Sequence, residues 1–129
     1  MDGGSDVRLL LLASAIALLL QSSGSATQPQ AGAARVIEIT AERFEFWPPH
    51  ITIAEGEEVE LRIRSHDTVH GFRILGLGTN LIVPKRGKGQ VAVRITGGKP
   101  GRYTFECSRM CGAGHNFMRG ELIVKEREP

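Results

Sequence analysis

From Val36 onward, hydrophobic and polar residues alternate along most of this chain. Phe44 and Phe46 flank a glutamate, Val59, Leu61 and Ile63 alternate through the segment Glu58 to Arg64, Val91, Val93 and Ile95 repeat the pattern, and Tyr103, Phe105 and Cys107 follow it. A period of two turns one face of each segment inward, so these are expected strands and their apolar positions the expected core. Turn signals lie between them at Trp47-Pro-Pro-His50, Ala54-Glu-Gly56, Arg86-Gly-Lys-Gly89 and Gly97-Gly-Lys-Pro-Gly101. No long stretch has a period near 3.6, so helices should be few. Short strands at this spacing predict an all-β fold, an antiparallel sandwich. Tyr103 and Trp47 are expected to pack with the core.

The N-terminus breaks the pattern. Leu9 to Leu20 is an apolar run interrupted only by Ser14, followed by the polar, small-residue stretch Gln21 to Ala26. A membrane span wants about 20 apolar residues, and a run this short better fits the core of a signal peptide, with Gly24-Ser25-Ala26 as a small-x-small cleavage site before Thr27. The opposition of Arg8 by Asp2 and Asp6 weakens the leader reading and keeps a short anchor through residues 9–20 as the alternative. Residues 1–26 are therefore read as signal peptide or short anchor, 27–35 as a linker, and 36–129 as the domain. The chain should be exported.

Composition and charge narrow the function by exclusion. With 129 residues, 41% of them hydrophobic and 23% charged, the chain has room for one core and a short extension. A net charge of +2 is too mild to argue for nucleic acid. Lys85, Arg86 and Lys88 form a small basic turn, by default a solvated loop, which is also suited to orienting an acidic partner. The sequence holds no internal repeat, no Ser/His/Asp constellation and no motif of paired carboxylates.

The chemistry is concentrated between Cys107 and Met118. The spacing CxxxCxxxHxxM brings both cysteines, His115 and Met118 onto one short segment, and soft sulfur ligands with imidazole favour copper over hard cations. Three other readings compete. A Cys107–Cys111 disulfide would close a very small loop and leave His115 and Met118 without a purpose. A structural zinc site would need a second His, and Met is foreign to zinc's usual ligand set. A mononuclear blue-copper site needs one Cys, two His and a weak axial Met, so here the second thiolate is surplus. Two thiolates are better used as bridges between two copper ions, each with a terminal imidazole. The second imidazole must come from elsewhere. His70 lies between apolar residues where one strand ends and the next begins, whereas His66 and His50 read as solvated turn residues.

At these residues the sequence resembles the copper A (CuA) domain of cytochrome c oxidase subunit II. The likeness runs from about Ile37 to Glu126 and rests on Asp67-Thr-Val-His70-Gly-Phe72, the loop Cys107 to Met118 with its CGxGHxxM ending, and the strand Gly120 to Glu126. It is nearest to the shorter bacterial subunits. The resemblance implies a Greek-key cupredoxin-like sandwich and two copper ions. Cys107 and Cys111 would be the bridging thiolates, His70 and His115 the terminal imidazoles, and Met118 and the backbone carbonyl of Arg109 the weak ligands. It also implies a c-type cytochrome as donor, subunit I of a haem-copper oxidase as acceptor, and a place in the periplasm or on the outer face of the membrane. No centre for oxygen reduction is implied in this chain. Trp47 is a candidate for an electron-entry surface. Arg109 departs from the family's commonest residue, Glu, which helps hold a magnesium ion in larger oxidases, so no magnesium site is expected. A free-standing CuA carrier and a copper chaperone are the alternatives.

Overall fold

A computed structural model describes residues 32–129; the expected signal peptide or anchor and most of the linker lie outside the described residues. Nine strands follow in order: β1 (Arg35–Glu42), β2 (Glu45–Trp47), β3 (His50–Ala54), β4 (Glu58–Ser65), β5 (His70–Ile74), β6 (Thr79–Val83), β7 (Gln90–Thr96), β8 (Gly101–Glu106) and β9 (Arg119–Lys125). Among the described residues the one helical element is a 3-10 turn at His115–Phe117, and no helix is long and apolar enough to cross a membrane. The strands form two sheets, ordered β2-β1-β4-β7 and β3-β9-β8-β5-β6. The fold is the cupredoxin-like β-sandwich that the resemblance implied.

The expectation of an antiparallel sandwich needs correction, because β1 pairs with β4 and β3 with β9 in parallel register. Alternation reports which face of a strand is buried and carries no information on its neighbour's direction. Here the chain leaves the first sheet after β2, contributes β3 to the second, and returns as β4. That crossing sets both parallel pairs.

The alternating positions otherwise behave as the periodicity requires. Val59, Leu61 and Ile63 are fully buried along β4, the third strand of its sheet, while Val91 and Val93 on the edge strand β7 are only half-buried. An edge strand has a covering neighbour on one side alone. At the centre, Phe46, Phe72 and Phe105 form a triangle with ring centroids 5.4–5.5 Å apart. Burying such a ring stabilises the fold by about 1.5–3 kcal/mol. Phe72 lies two residues after His70 and Phe105 two residues before Cys107, so the alternation that buries these rings also turns His70 and Cys107 inward. Both are buried. The aromatic core is the floor of the candidate site.

Two expectations about aromatic residues fail. Phe44 is 37% exposed and lies in the turn between β1 and β2, outside the core alternation. Trp47 is 69% exposed and does not pack inside. Tyr103 is half-buried against the core, with its hydroxyl donating to the Lys99 carbonyl at 2.6 Å.

Candidate metal centre

Three neighbouring strands of the five-stranded sheet end at one place. β5 starts with His70, β8 runs into Cys107, and β9 leaves from Met118. The loop from Cys107 to Met118 is closed at its base by a hydrogen bond from the Cys107 N–H to the Met118 carbonyl, 3.1 Å. Its width is thus one ladder step.

The donor atoms inside form a row. His70 Nδ1 is 3.9 Å from Cys107 Sγ, the two sulfurs are 3.7 Å apart, and Cys111 Sγ is 3.8 Å from His115 Nδ1. A weaker donor sits beside each sulfur: the Arg109 carbonyl oxygen 3.0 Å from Cys107 Sγ, and Met118 Sδ 3.9 Å from Cys111 Sγ. His70, Cys107 and Cys111 place a ligand atom each within 4.8 Å of one another, all buried. All six positions singled out from the sequence come together here. His66 and His50 stand apart and exposed, His50 facing Glu121 at 3.5 Å.

The arrangement separates the competing chemistries. Both cysteines are free, and their sulfurs are far beyond the ~2.05 Å of a disulfide. Two thiols, two imidazole nitrogens, a thioether and a carbonyl make a donor set soft enough for copper, and the residues fit that metal. Burial, then the neighbouring Cys107 and Asp67, push the Cys111 thiol up to about 11. Copper binds the thiolate, so loading the site must release protons.

Residues outside the ligand set fix the row. Asp67 Oδ1 lies 2.6 Å from His70 Nε2, so that nitrogen carries the proton and Nδ1 turns its lone pair toward Cys107. Asp67 is itself held by the Arg43 backbone N–H and guanidinium Nε, each at 3.0 Å, while its own N–H donates to Ser65 Oγ at 3.1 Å. Burial raises the Asp67 carboxyl, but the hydrogen bonds from His70, Arg43 and Thr68 outweigh it and hold the group well below the ordinary carboxylate range. Gly71 makes the close approach of strand and loop possible, because a Cβ there would fall 2.1 Å from Ser108 Oγ and 2.7 Å from the Arg109 nitrogen. Its N–H points at Cys107 Sγ, 3.5 Å away. On the outer side, His115 borders a small polar recess with Arg73, Glu106, Asn116 and Arg119.

Sequence reasoning missed Asp67, Arg43 and Phe44. Asp67 had a usable signal, a carboxylate three residues from a buried His with a serine two before it. Arg43 had none, since its contact spans 24 residues. Phe44 packs its ring on Gly112 and Gly114 of the ligand loop, a contact no alternation reveals.

A two-sheet sandwich with a metal loop at the ends of adjacent strands defines the class, and the chain matches the model of the cupredoxin-like domain over residues 10–124. It belongs to that family. It is 36% identical over 92 residues to cytochrome c oxidase subunit 2 of Thermus thermophilus, covering 70% of this chain and 65% of that protein. A second subunit 2 from the same species matches at 36% over 52% of its length. The chain thus spans between half and two thirds of the length of these curated relatives. Among solved structures, a chain of a heme-copper terminal oxidase dimer superposes with a TM-score of 0.64 at 30% identity, covering 72% of this chain and 66% of the other. The periplasmic domain of cytochrome oxidase subunit II from Bradyrhizobium japonicum gives a TM-score of 0.64 at 15% identity over 71% and 84%, a likeness of fold. The resemblance to the CuA domain of subunit II read from the motifs is met in these comparisons, which support copper binding and a role in electron transfer.

Proposed function

We infer that this protein is a binuclear copper electron-transfer domain of the subunit II type, taking electrons from a c-type cytochrome and passing them to the haem-copper subunit I of an oxidase. The observation that carries the reading is the row His70, Cys107, Cys111, His115, in which each sulfur has an imidazole on its outer side and the other sulfur on its inner side. A mononuclear site has no use for the second half of that row.

Cys107 and Cys111 would bridge two copper ions, His70 and His115 would terminate them, and the Arg109 carbonyl and Met118 would be the weak ligands. Bound there, the copper pair supplies a one-electron couple whose charge is shared over both metals. The chain's own residues keep the ligands from moving as that charge changes. Asp67 fixes the His70 ring, Gly71 seats the loop on β5, and Met118 is locked to Cys107 through the backbone. Burial of His70, Cys107, Cys111 and Met118 keeps water away and lets nearby hydrogen bonds tune the potential. The copper-chaperone alternative calls for a thioredoxin-like fold with βαβ units, and no observation favours it.

The reading places the domain in the periplasm or on the outer face of the membrane, with residues 9–20 serving either as a cleaved leader or as an anchor. Copper analysis with electron paramagnetic resonance tests the centre. Two coppers per chain with a seven-line hyperfine pattern are expected, and one copper with a four-line pattern would sink the binuclear reading. Affinity purification from membranes tests the partner: co-purification of a haem-containing catalytic subunit is expected, and recovery only as a soluble protein, without cytochrome c oxidation, would favour a free-standing carrier.

A further inference from the structure

The basic turn noted in the sequence reaches the metal centre in the fold. The Arg86 N–H donates to the Asp67 carbonyl at 3.1 Å, which places Lys85, Arg86 and Lys88 beside the segment that orients His70. The neighbouring register adds to this. His70 pairs with Val83 and Gly71 with Ile82, and the Arg109 nitrogen lies 2.7 Å from where a Gly71 Cβ would be. The Arg109 backbone therefore lies over Gly71 on the face of β5, whose neighbour β6 leads into Lys85. Arg64, at the end of β4, pairs with Gln90 just after the turn.

These five side chains share one property. Arg35, Arg43, Arg62, Arg73, Arg94, Arg102 and Arg119 each have a carboxylate partner within 4.0 Å. Among the described residues Arg64, Lys85, Arg86, Lys88 and Arg109 are exposed and make no such pair; Lys99, Lys125 and Arg127 are likewise exposed and unpaired, but they lie at the start of β8 and the end of β9, away from the Cys107–Met118 loop. The carboxylates at this end lie elsewhere: Asp67 and Glu106 are engaged by arginines, and Glu42 and Glu45 are on the β1–β2 side. The face around the copper loop is thus divided, cationic toward β6 and acidic toward β2. Met110, 73% exposed, sits next to Cys111 inside the cationic half.

We propose that the cationic band Arg64, Lys85, Arg86, Lys88 and Arg109, with Met110 at its inner edge, docks an acidic electron-transfer protein over the Cys107–Met118 loop. Unpaired charges bordering a short apolar approach raise the encounter rate of an oppositely charged partner and fix its orientation, while the apolar contact allows close approach. In the step itself, one electron leaves the ferrous haem of the partner, which becomes ferric, and reduces the oxidised copper pair by one. The proposal rests on the electron-transfer reading above and adds the charge of the partner.

The test uses one basic ferrous c-type cytochrome before and after succinylation of its lysines, which turns the same donor acidic. Reduction of the copper-loaded protein is followed by stopped flow. With the succinylated donor the rate should fall at least about tenfold between about 0.01 M salt, where charges act over about 30 Å, and about 1 M, where they act over about 3 Å. Combined Lys85→Glu, Arg86→Glu and Lys88→Glu should lower the low-salt rate about tenfold and leave the high-salt rate, the copper content and the copper spectrum as in the parent. Faster reduction by the unmodified basic donor at low salt, or no response to the triple change, would overturn the proposal. So would a triple change that abolishes binding to phosphatidylserine vesicles while leaving the electron-transfer rate untouched, since the band would then be a lipid contact. Failure of the parent to bind copper at all would be a failure of the functional reading, visible before any donor is mixed.

Discussion

The two sheets of the sandwich divide the work unequally. The four-stranded sheet contributes Ile39, Ala41, Val59, Leu61 and Ile63, all fully buried, and supplies none of the candidate ligands. The five-stranded sheet carries the candidate centre at the joined ends of β9, β8 and β5, which are neighbours in its order. The difference teaches that such a centre is assembled where adjacent strands stop together, while the opposite sheet is a wall whose contribution is stiffness. The wall reaches the centre at three points: Ser65 at the end of β4 and Arg43 beyond β1 act through Asp67, and Phe44 in the β1–β2 turn packs on Gly112 and Gly114 of the ligand loop.

Substitutions on the two sides should therefore fail in different ways. The largest change in function is expected from Cys111→Ser, which removes half of the sulfur row: copper should fall from two ions per chain to at most one, measured by metal analysis and paramagnetic resonance, while the fold survives. A variant that keeps both coppers would break the division at its functional end. Leu61→Ala, in the wall, should cost about 3 kcal/mol of stability in denaturant titrations and leave the copper spectrum unaltered. A changed spectrum would show that the wall does more than stiffen.

Asp67→Asn lies between the two regimes. Loss of charge-assisted hydrogen bonds should cost about 2 kcal/mol at neutral pH. The Asp67 carboxyl is lowered in the fold, so its stabilisation is present in full above the ordinary value near 3.8 and is lost as pH falls through the lower folded value. The stability gap between parent and variant in the metal-free protein should thus be widest above about pH 5 and close in strong acid; a gap that widens on acidification would refute the assignment. The smallest effect belongs to His66→Ala, which should move stability by less than about 0.5 kcal/mol and leave copper binding alone. Loss of copper on this change, measured by metal analysis, would shift the ligand choice away from His70.

Much of this was legible in the residues because one periodicity served two purposes. The alternation that buried Phe72 and Phe105 also carried His70 and Cys107 inward, and the CxxxCxxxHxxM spacing kept four donors within one loop. What escaped was non-local. Parallel pairing of β1 with β4 depends on where the chain crosses between sheets, and the Arg43–Asp67 contact depends on how that crossing ends. Trp47 and Phe44 misled because an aromatic residue beside an alternating segment carries the same signal whether it faces the core, the solvent or a loop.

Phe44 has one more consequence, for how such a sequence can drift. A Cβ on Gly114 would fall 2.3 Å from its ring, and one on Gly112 at 2.9 Å. Gly112 is held to glycine by its backbone as well, at φ +145°, whereas at Gly114, with φ −90°, the three atoms a Cβ would meet first all belong to the Phe44 ring. Positions 44 and 114, seventy residues apart, are therefore coupled through one packing contact. In an alignment of related chains, a side chain at position 114 should appear together with a residue smaller than phenylalanine at position 44, and an intermediate that carries Gly114→Ala while keeping Phe44 should be rare.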